Sequence, residues 1–413
     1  MNKMNFLVVK LSFVLFTLHL CKATVRSGPR YPVVLVPGDG GSQLFVKLNK
    51  TQSEHWWCEK TTSGYETLWL SISDITPPLI HCFVENMMLI YDNKTRTTHS
   101  PEGVHIKTDG FGDTASVEWL DPAWLSHEIS AVSYFYHIVQ DLVDVGYKRN
   151  VSIRGAPFDF RKAPNELGQY YKDLQKLIED TYVLNNHTKC VVISHSMGNP
   201  VFLYFLNHQP QAWKDKYIQS FVSLAGVWAG TTKVLKVYAS GDNLDVPIVW
   251  PITVRPEQRS VPSSAYLMPH DKFWGPEETL IVTEHRNYTV DDFKDFFHDI
   301  DYPNAWQMRL DTQNLTRDLI PPGVHLHCVH GSGLPTLKTL VYGPGMFPDE
   351  TPEEITEDGD GTVNMRSLLA CTGWKGKQKY PVDHKVLPNA EHNKILSDER
   401  ARDYIVKVAL GQL

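Results

Sequence analysis

Cysteine is scarce in this sequence of 413 residues, with six in all. None stands in a C-x-x-C pair, and no two histidines share the His-x-x-x-His spacing. The sequence therefore predicts no structural zinc and no cofactor. Basic clusters are missing too: 40 Lys and Arg are outnumbered by 47 Asp and Glu, which argues against nucleic acid as a partner. No internal repeat or low-complexity linker divides the chain. The one long apolar run, near the N-terminus, is too short to span a bilayer, and no later stretch reaches that length without a charge or a proline, so no membrane span is expected.

That one run has a different meaning. Lys3 and Lys10 precede an apolar core over 11–20, and Cys21-Lys22-Ala23 is a small-x-small cleavage site. The pattern is that of a secretory signal peptide over 1–23. The mature chain is then expected in a lumen or outside the cell. Six N-x-[ST] sequons, at Asn49, Asn93, Asn150, Asn186, Asn287 and Asn314, agree with that route and are candidate glycosylation sites. Without Lys3, Lys10 and Lys22 the chain keeps 37 basic against 47 acidic residues, a net of −10, and 17 of its 18 histidines. Protonating those histidines at about pH 5 turns the net charge to about +7. Anionic surfaces would repel such a chain at neutral pH and attract it in acid.

Removing Cys21 leaves an odd count of five cysteines, hence two disulfides and a free thiol, or an intermolecular bond. Cys190 lies in an apolar run and reads as a buried small hydrophobe. The other four are Cys58, Cys82, Cys328 and Cys371. Nearness in sequence suggests Cys58–Cys82 and Cys328–Cys371, with the other pairings open.

Short apolar, β-branched runs at 31–36, 151–153, 190–193, 221–224, 324–329 and 382–387 read as strands. An amphipathic pattern over 170–184 and another over 199–208 read as helices. Strands alternating with helices predict an α/β fold around a mainly parallel sheet. Two stretches, about 45–148 and about 230–320, break that rhythm and read as insertions.

The stretch CVVISHSMGN, 190–199, carries the chemistry. Strand, tight turn and helix is the setting of the G-x-S-x-G nucleophile elbow. Ser196 sits at the turn, with small residues Ser194 and Gly198 two positions either side. A serine hydroxyl needs a general base, and the base an orienting acid. In α/β-hydrolases they follow in the order Ser, Asp or Glu, His. Asp360, in DGDGTVN after the 324–329 strand, is preferred to Asp358 as the acid. His392, on the loop after the last strand, is preferred to His384 as the base. Oxyanion donors are expected at the N–H of Met197 and in the 37–41 loop at the N–H of Asp39.

At this point several motifs in order resemble one family. PVVLVPGDGGSQL (32–44), RGAPFDFR (154–161), SHSMGN (194–199), QPQAWKDKYI (209–218), DGDGTVN (358–364) and the Glu391-His392 pair resemble the lecithin:cholesterol acyltransferase-like family. The resemblance covers nearly all of the mature chain. It departs from the family's pattern at Ser194, Gly40, Ser42, Pro200 and 227–230, none of which removes a catalytic group. It implies an α/β-hydrolase core with a membrane-binding subdomain, a cap and a mobile lid over 239–260. It carries the catalytic roles to Ser196, Asp360 and His392, the oxyanion roles to Asp39 and Met197, and the disulfides to Cys58–Cys82 and Cys328–Cys371. An acid at position 39, rather than a cysteine, places the chain nearer the family's lysosomal phospholipases than its plasma sterol acyltransferases.

The function so implied is a calcium-independent serine phospholipase A1/A2 and transacylase. It passes a fatty acyl group from a glycerophospholipid to water or to a lipid alcohol such as N-acylsphingosine. The implied setting is the lysosome lumen, with secretion as a second destination, and a monomer bound peripherally to a phospholipid bilayer. Within the Cys58–Cys82 loop, Trp69, Leu70, Ile75, Leu79 and Ile80 are the expected membrane contacts, with Trp56 and Trp57 beside them. The alternatives are a secreted phosphatidylcholine–sterol acyltransferase and a catalytically silent lipid-binding protein.

Overall fold

Val33–Val36 has no polar side chain and no exposed residue. A strand buried on both faces belongs inside a parallel sheet covered by helices. The computed structural model, which describes residues 30–121, 132–243 and 249–413, places it there. Six parallel strands, β1 (Val33–Val36), β2 (Ile153–Gly155), β3 (Cys190–His195), β4 (Ile218–Leu224), β5 (His325–Ser332) and β6 (Val382–Pro388), lie in the order β6-β5-β4-β3-β1-β2. The signal peptide expected over 1–23 lies outside the described residues, as do 244–248 of the expected lid.

Alternation along the strands sorts the core into two layers. Val33 and Leu35, with Val191 and Ile193, face one side. Val34 and Val36, with Val192, face the other. Helices supply each cover: α1 (Ile80–Met87), α2 (Tyr136–Asp144), α3 (Gly168–Leu184), α4 (Gly198–Asn207), α5 (Pro251–Ser260) and α6 (Glu399–Ala409). Ile138, Val139 and Leu142 of α2 meet Ile405 and Val408 of α6 on the first side. Leu174 and Ile178 of α3 meet Phe202 and Phe205 of α4 on the second. Each such side chain contributes roughly 1.5–3 kcal/mol by leaving water.

The chain leaves β1 for β2 on one side, then crosses back to lay β3 to β6 on the other. The strand order therefore reverses between β1 and β3, and their carboxyl ends open a crevice, the usual place for a site in such sheets.

The expected strands form within three residues of their predicted ends. Only 151–153 is shifted bodily rather than trimmed or extended: Asn150 takes a positive φ of 62° and the N–H of Val151 bonds back to Lys148. Val151 is therefore part of a turn, and β2 runs over Ile153–Gly155 instead.

Among the described residues, the two insertion stretches add no strand to the central sheet. Leu44–Leu48, Glu66–Trp69 and Val104–Lys107 make a separate three-stranded sheet. Helix α2 falls inside the first stretch yet packs on the central sheet, because its apolar face matches Val33 and Leu35. The second stretch supplies Ile281–Val282 and Asn287–Tyr288, which pair with Leu334–Val341 and Glu353–Gly359 beyond residue 320.

Cys58–Cys82 and Cys328–Cys371 are bonded, and Cys190 is free and buried. The second bond closes a separation of 43 residues between β5 and the turn before β6. Replacing both partners by alanine is expected to lower the unfolding free energy by about 3–4 kcal/mol, read as an earlier denaturant midpoint.

Candidate active site

The turn between β3 and α4 is tight enough to force Ser196 to a φ of 52°. A side chain pays strain for that region, so neighbours must hold it. Ser196 N–H donates to Leu224 O at 3.0 Å, and Asn199 Nδ2 donates to Ser196 O at 3.0 Å and Leu224 O at 2.9 Å. Glycine is required at two points of closest approach. A Cβ on Gly198 would lie 2.3 Å from Pro37 O, and one on Gly38 would lie 2.7 Å from Ser196 Cβ. Ser194 is fully buried, and its Oγ has no hydrogen-bond partner among the described residues.

The structure brings Ser196, His392 and Asp360 into one line. His392 Nε2 lies 2.8 Å from Ser196 Oγ, and His392 Nδ1 lies 2.8 Å from Asp360 Oδ2. A carboxylate only accepts, so Nδ1 carries the proton and Nε2 presents its lone pair to the hydroxyl. Burial alone would raise the Asp360 carboxyl. The adjoining His392 and the N–H groups of Val363 at 2.7 Å and Thr362 at 3.1 Å outweigh it and hold the group below the ordinary carboxylate range. The rival residues are elsewhere. Asp358 is exposed and accepts from Gly333 N–H at 2.6 Å, and His384 bonds His330 at 2.8 Å.

Sequence reasoning missed a second chain of contacts behind the first. Gly38 N–H donates to Tyr134 Oη at 2.9 Å, Tyr134 Oη lies 2.6 Å from His195 Nδ1, and His195 Nε2 lies 2.9 Å from His392 O. The proton positions follow from the end group. A carbonyl only accepts, so His195 Nε2 carries hydrogen, its Nδ1 accepts, and Tyr134 donates to it. Burial first, then the nearby His392, lowers the His195 pKa to about 3, so the ring stays neutral in mild acid. The chain of contacts ties the 37–41 loop to the backbone of His392. The histidine before the nucleophile was visible in SHSMGN; Tyr134 carried no local signal.

Among the described residues, neither Asp39 N–H nor Met197 N–H donates to a protein acceptor. Both flank Ser196, through the 37–41 loop and the start of α4. The loop is pinned by Tyr134 at Gly38 and by Trp69, whose Nε1 donates to Gly40 O at 2.6 Å. Asp39 is exposed, but protein packed around its carboxyl desolvates that group and raises it to about 6 against the opposing Gly40 N–H. Glu257 on α5 is pushed to about 8, by burial first and then by the charge of Asp39.

The expected membrane contacts divide. Ile80 is 3 % exposed and belongs to the core, because α1 turns it inward. Trp69 is half-buried with its ring on the oxyanion loop. Leu70 and Ile75 are half-buried, and Leu79 is exposed. Trp56, at 88 %, and Trp250 on the expected lid, at 73 %, stand out furthest. All six sequon asparagines are exposed.

If Tyr134 holds loop and base in register, Tyr134→Phe should lower kcat roughly 10- to 100-fold with KM little changed. Steady-state kinetics on a soluble ester would read this split.

The model of the family described as lecithin:cholesterol acyltransferase matches residues 65–319 and 312–399. The chain is 44% identical over 397 residues to the dog (Canis lupus familiaris) protein named lysosomal phospholipase A and acyltransferase, covering 96% of each chain. It is 43% identical over 401 residues to the Homo sapiens protein of the same name, covering 97% of this chain and 96% of that one. To the Gallus gallus phosphatidylcholine-sterol acyltransferase it is 39% identical over 362 residues, covering 87% and 86%. A solved structure, that of the Tle4–Tli4 complex, superposes with a TM-score of 0.51 at 12% identity, over 94% of this chain and 99% of that one, and shows a shared α/β fold. The chain belongs to the lecithin:cholesterol acyltransferase family.

Proposed function

We propose that this protein is a serine phospholipase A and acyltransferase of the lysosomal type. The observation that carries the reading is the Ser196–His392–Asp360 line, with both contacts at 2.8 Å, beneath a loop that offers free N–H donors. Relatives at 43–44% identity, named lysosomal phospholipase A and acyltransferase, support the substrate class and the compartment. The lower identity to the sterol acyltransferase, 39%, and the acid at Asp39 favour this reading over that one.

The chemistry follows from the atoms. Ser196 Oγ attacks the carbonyl carbon of a glycerophospholipid ester while its proton passes to His392 Nε2. The developing oxyanion is taken by the N–H groups of Asp39 and Met197. Asp360 steadies the imidazolium. As the C–O bond breaks, His392 returns the proton to the leaving lysophospholipid oxygen, and an acyl-Ser196 ester remains. Water, or the hydroxyl of a lipid alcohol such as N-acylsphingosine, then attacks with His392 again as base. The products are a fatty acid or an acylated alcohol. His392 handles every proton, so activity is expected to survive EDTA.

The surface that meets lipid is proposed to centre on Trp56, Trp57 and Leu79 near the Cys58–Cys82 bond, joined by Trp250 and Ile252 from the lid. These are exposed apolar side chains, and tryptophan favours the bilayer interface. The exposed sequon asparagines are candidate glycan sites. The mature chain's gain of positive charge in acid favours docking on anionic lipid.

Liposomes of phosphatidylcholine with N-acetylsphingosine, with EDTA, at about pH 4.5 and about pH 7.4, test the reading. Fatty acid and acylated sphingosine should form in acid and vanish in Ser196→Ala. Activity confined to neutral pH, with cholesterol as acceptor, would instead place the protein with the sterol acyltransferases.

The raised carboxyl of Asp39 gives a second test. Below about 6 the group is mostly neutral. Above that, its negative charge stands beside the N–H that receives the oxyanion and opposes the transition state. Activity should fall as pH rises through that value. Asp39→Asn should flatten the fall and raise kcat/KM several-fold at neutral pH relative to wild type, in a pH–rate profile on a soluble ester.

A further inference from the structure

At the far end of the sheet from Ser196, the first residues of β5 and β6 gather two histidines and a carboxylate. His325 and His327 are two apart on β5, so both side chains leave the same face. Asp383, on the neighbouring edge strand β6, is the register partner of His327 and shares that face. Asp383 Oδ2 lies 2.7 Å from His325 Nε2 and 3.4 Å from His327 Nδ1. The three ligand atoms all lie within 4.8 Å of one another.

An ordinary ion pair would satisfy Asp383 with one imidazole. The strand register supplies two, held by backbone pairing rather than by flexible loops. The two rings stand close, with centroids 4.2 Å apart and a tilt of 36°. On the opposite face of β5, His330 and His384 meet directly at 2.8 Å with no carboxylate between them.

We propose that His325, His327 and Asp383 form a site for a divalent transition-metal ion, zinc foremost, with water completing the coordination. Zinc takes imidazole nitrogen at about 2.0–2.1 Å and carboxylate oxygen at about 2.0–2.2 Å, which sets tetrahedral ligands roughly 3.3 Å apart. His327 Nδ1 and Asp383 Oδ2 already have that spacing. His325 Nε2 must move out by a few tenths of an ångström as the hydrogen it shares with Asp383 gives way to the ion. A two-imidazole, one-carboxylate set suits zinc rather than calcium or magnesium, which prefer six or more oxygens.

The surroundings fit. The His327 side chain is 1 % exposed and anchored, while that of Asp383 is 50 % exposed and leaves an entry path. Tyr404 of α6 places its Oη 3.0 Å from His327 Nδ1, and an ion bound at that nitrogen would displace this hydrogen bond. The neighbouring cation, Lys385, lies over the Tyr404 ring, 4.7 Å from its centroid. The ligands are split between strands, 325 and 327 on one and 383 on the other, so none of the contiguous metal spacings sought in the sequence would find them. An ion here would cross-link β5 to the edge strand β6, whose far end leads to His392. It would brace the fold without entering the acyl-transfer chemistry.

The test uses the full mature protein stripped of metal. Zinc is titrated against a chromophoric chelator at about pH 7.4, where free histidine is largely neutral, and cobalt is followed by its visible bands. The variants are Asp383→Asn and His325→Ala, both at solvent-accessible positions, with esterase activity and circular dichroism confirming that they fold. Wild type should bind zinc, give the intense bands of four-coordinate cobalt, and unfold at a higher temperature with zinc. Each variant should lose at least tenfold in affinity, together with the thermal shift. Zinc affinity unchanged in both variants would locate binding elsewhere, at Ser196–His392 for example, and overturn the proposal. So would the absence of binding to wild type. Because esterase activity is read separately, failure here leaves the phospholipase reading intact.

Discussion

The contact on which the rest depends is the meeting of two backbone turns, one after β1 and one after β3. Gly198 packs against Pro37 O and Gly38 against Ser196 Cβ, each too close for another side chain. This proximity exists because the strand order reverses between β1 and β3, leaving their ends side by side with no helix between them. Ser196 and the N–H groups of Asp39 and Met197 come from those two turns. Their spacing is thus set by the sheet, and the strain at Ser196 is held by a packed interior rather than by local preference.

Around that contact, polar groups are arranged so that few protons have a choice of place. Asp360 can only accept, so His392 is oriented; His392 O can only accept, so His195 is oriented; His195 Nδ1 must then accept, so the hydroxyl of Tyr134 is oriented. Four residues share one determined pattern, and it reaches Gly38 in the oxyanion loop. Buried networks of this kind are rigid when every member is satisfied. The unsettled charges are Asp39, raised by burial of its carboxyl, and Glu257, raised by burial first and then by the charge of Asp39.

The sheet was legible because β1 is wholly apolar and β3 opens on an apolar run, both rich in β-branched residues, a pattern with few other homes. That Ser196, Asp360 and His392 would meet was legible because each lies next to a strand whose order the chain reveals. Val151 was misplaced because a positive-φ asparagine, which no hydrophobic pattern reports, began the turn one residue earlier. Ile80 was taken for a surface residue because composition shows that a loop is apolar but not which side of α1 turns inward. Tyr134 was invisible for a simpler reason. Its partners lie 96 and 61 residues away, and long-range hydrogen bonds leave no periodic trace. His325, His327 and Asp383 were missed in the same way, since strand register and not spacing joins them.

Cys190 occupies the strand that ends at Ser196, and burial pushes its thiol up to about 12 against the weak opposing pull of Arg154. Thiol–disulfide exchange requires a thiolate. While β3 is in the sheet, the odd cysteine has almost none to offer, and both disulfides are safe from shuffling by it. Before β3 joins, the same thiol is an ordinary one, with Cys58, Cys82, Cys328 and Cys371 all open to it. Correct pairing is therefore protected once the strand that presents Ser196 has closed into the sheet, and a substitution that loosens β3 would expose both disulfides to exchange with Cys190.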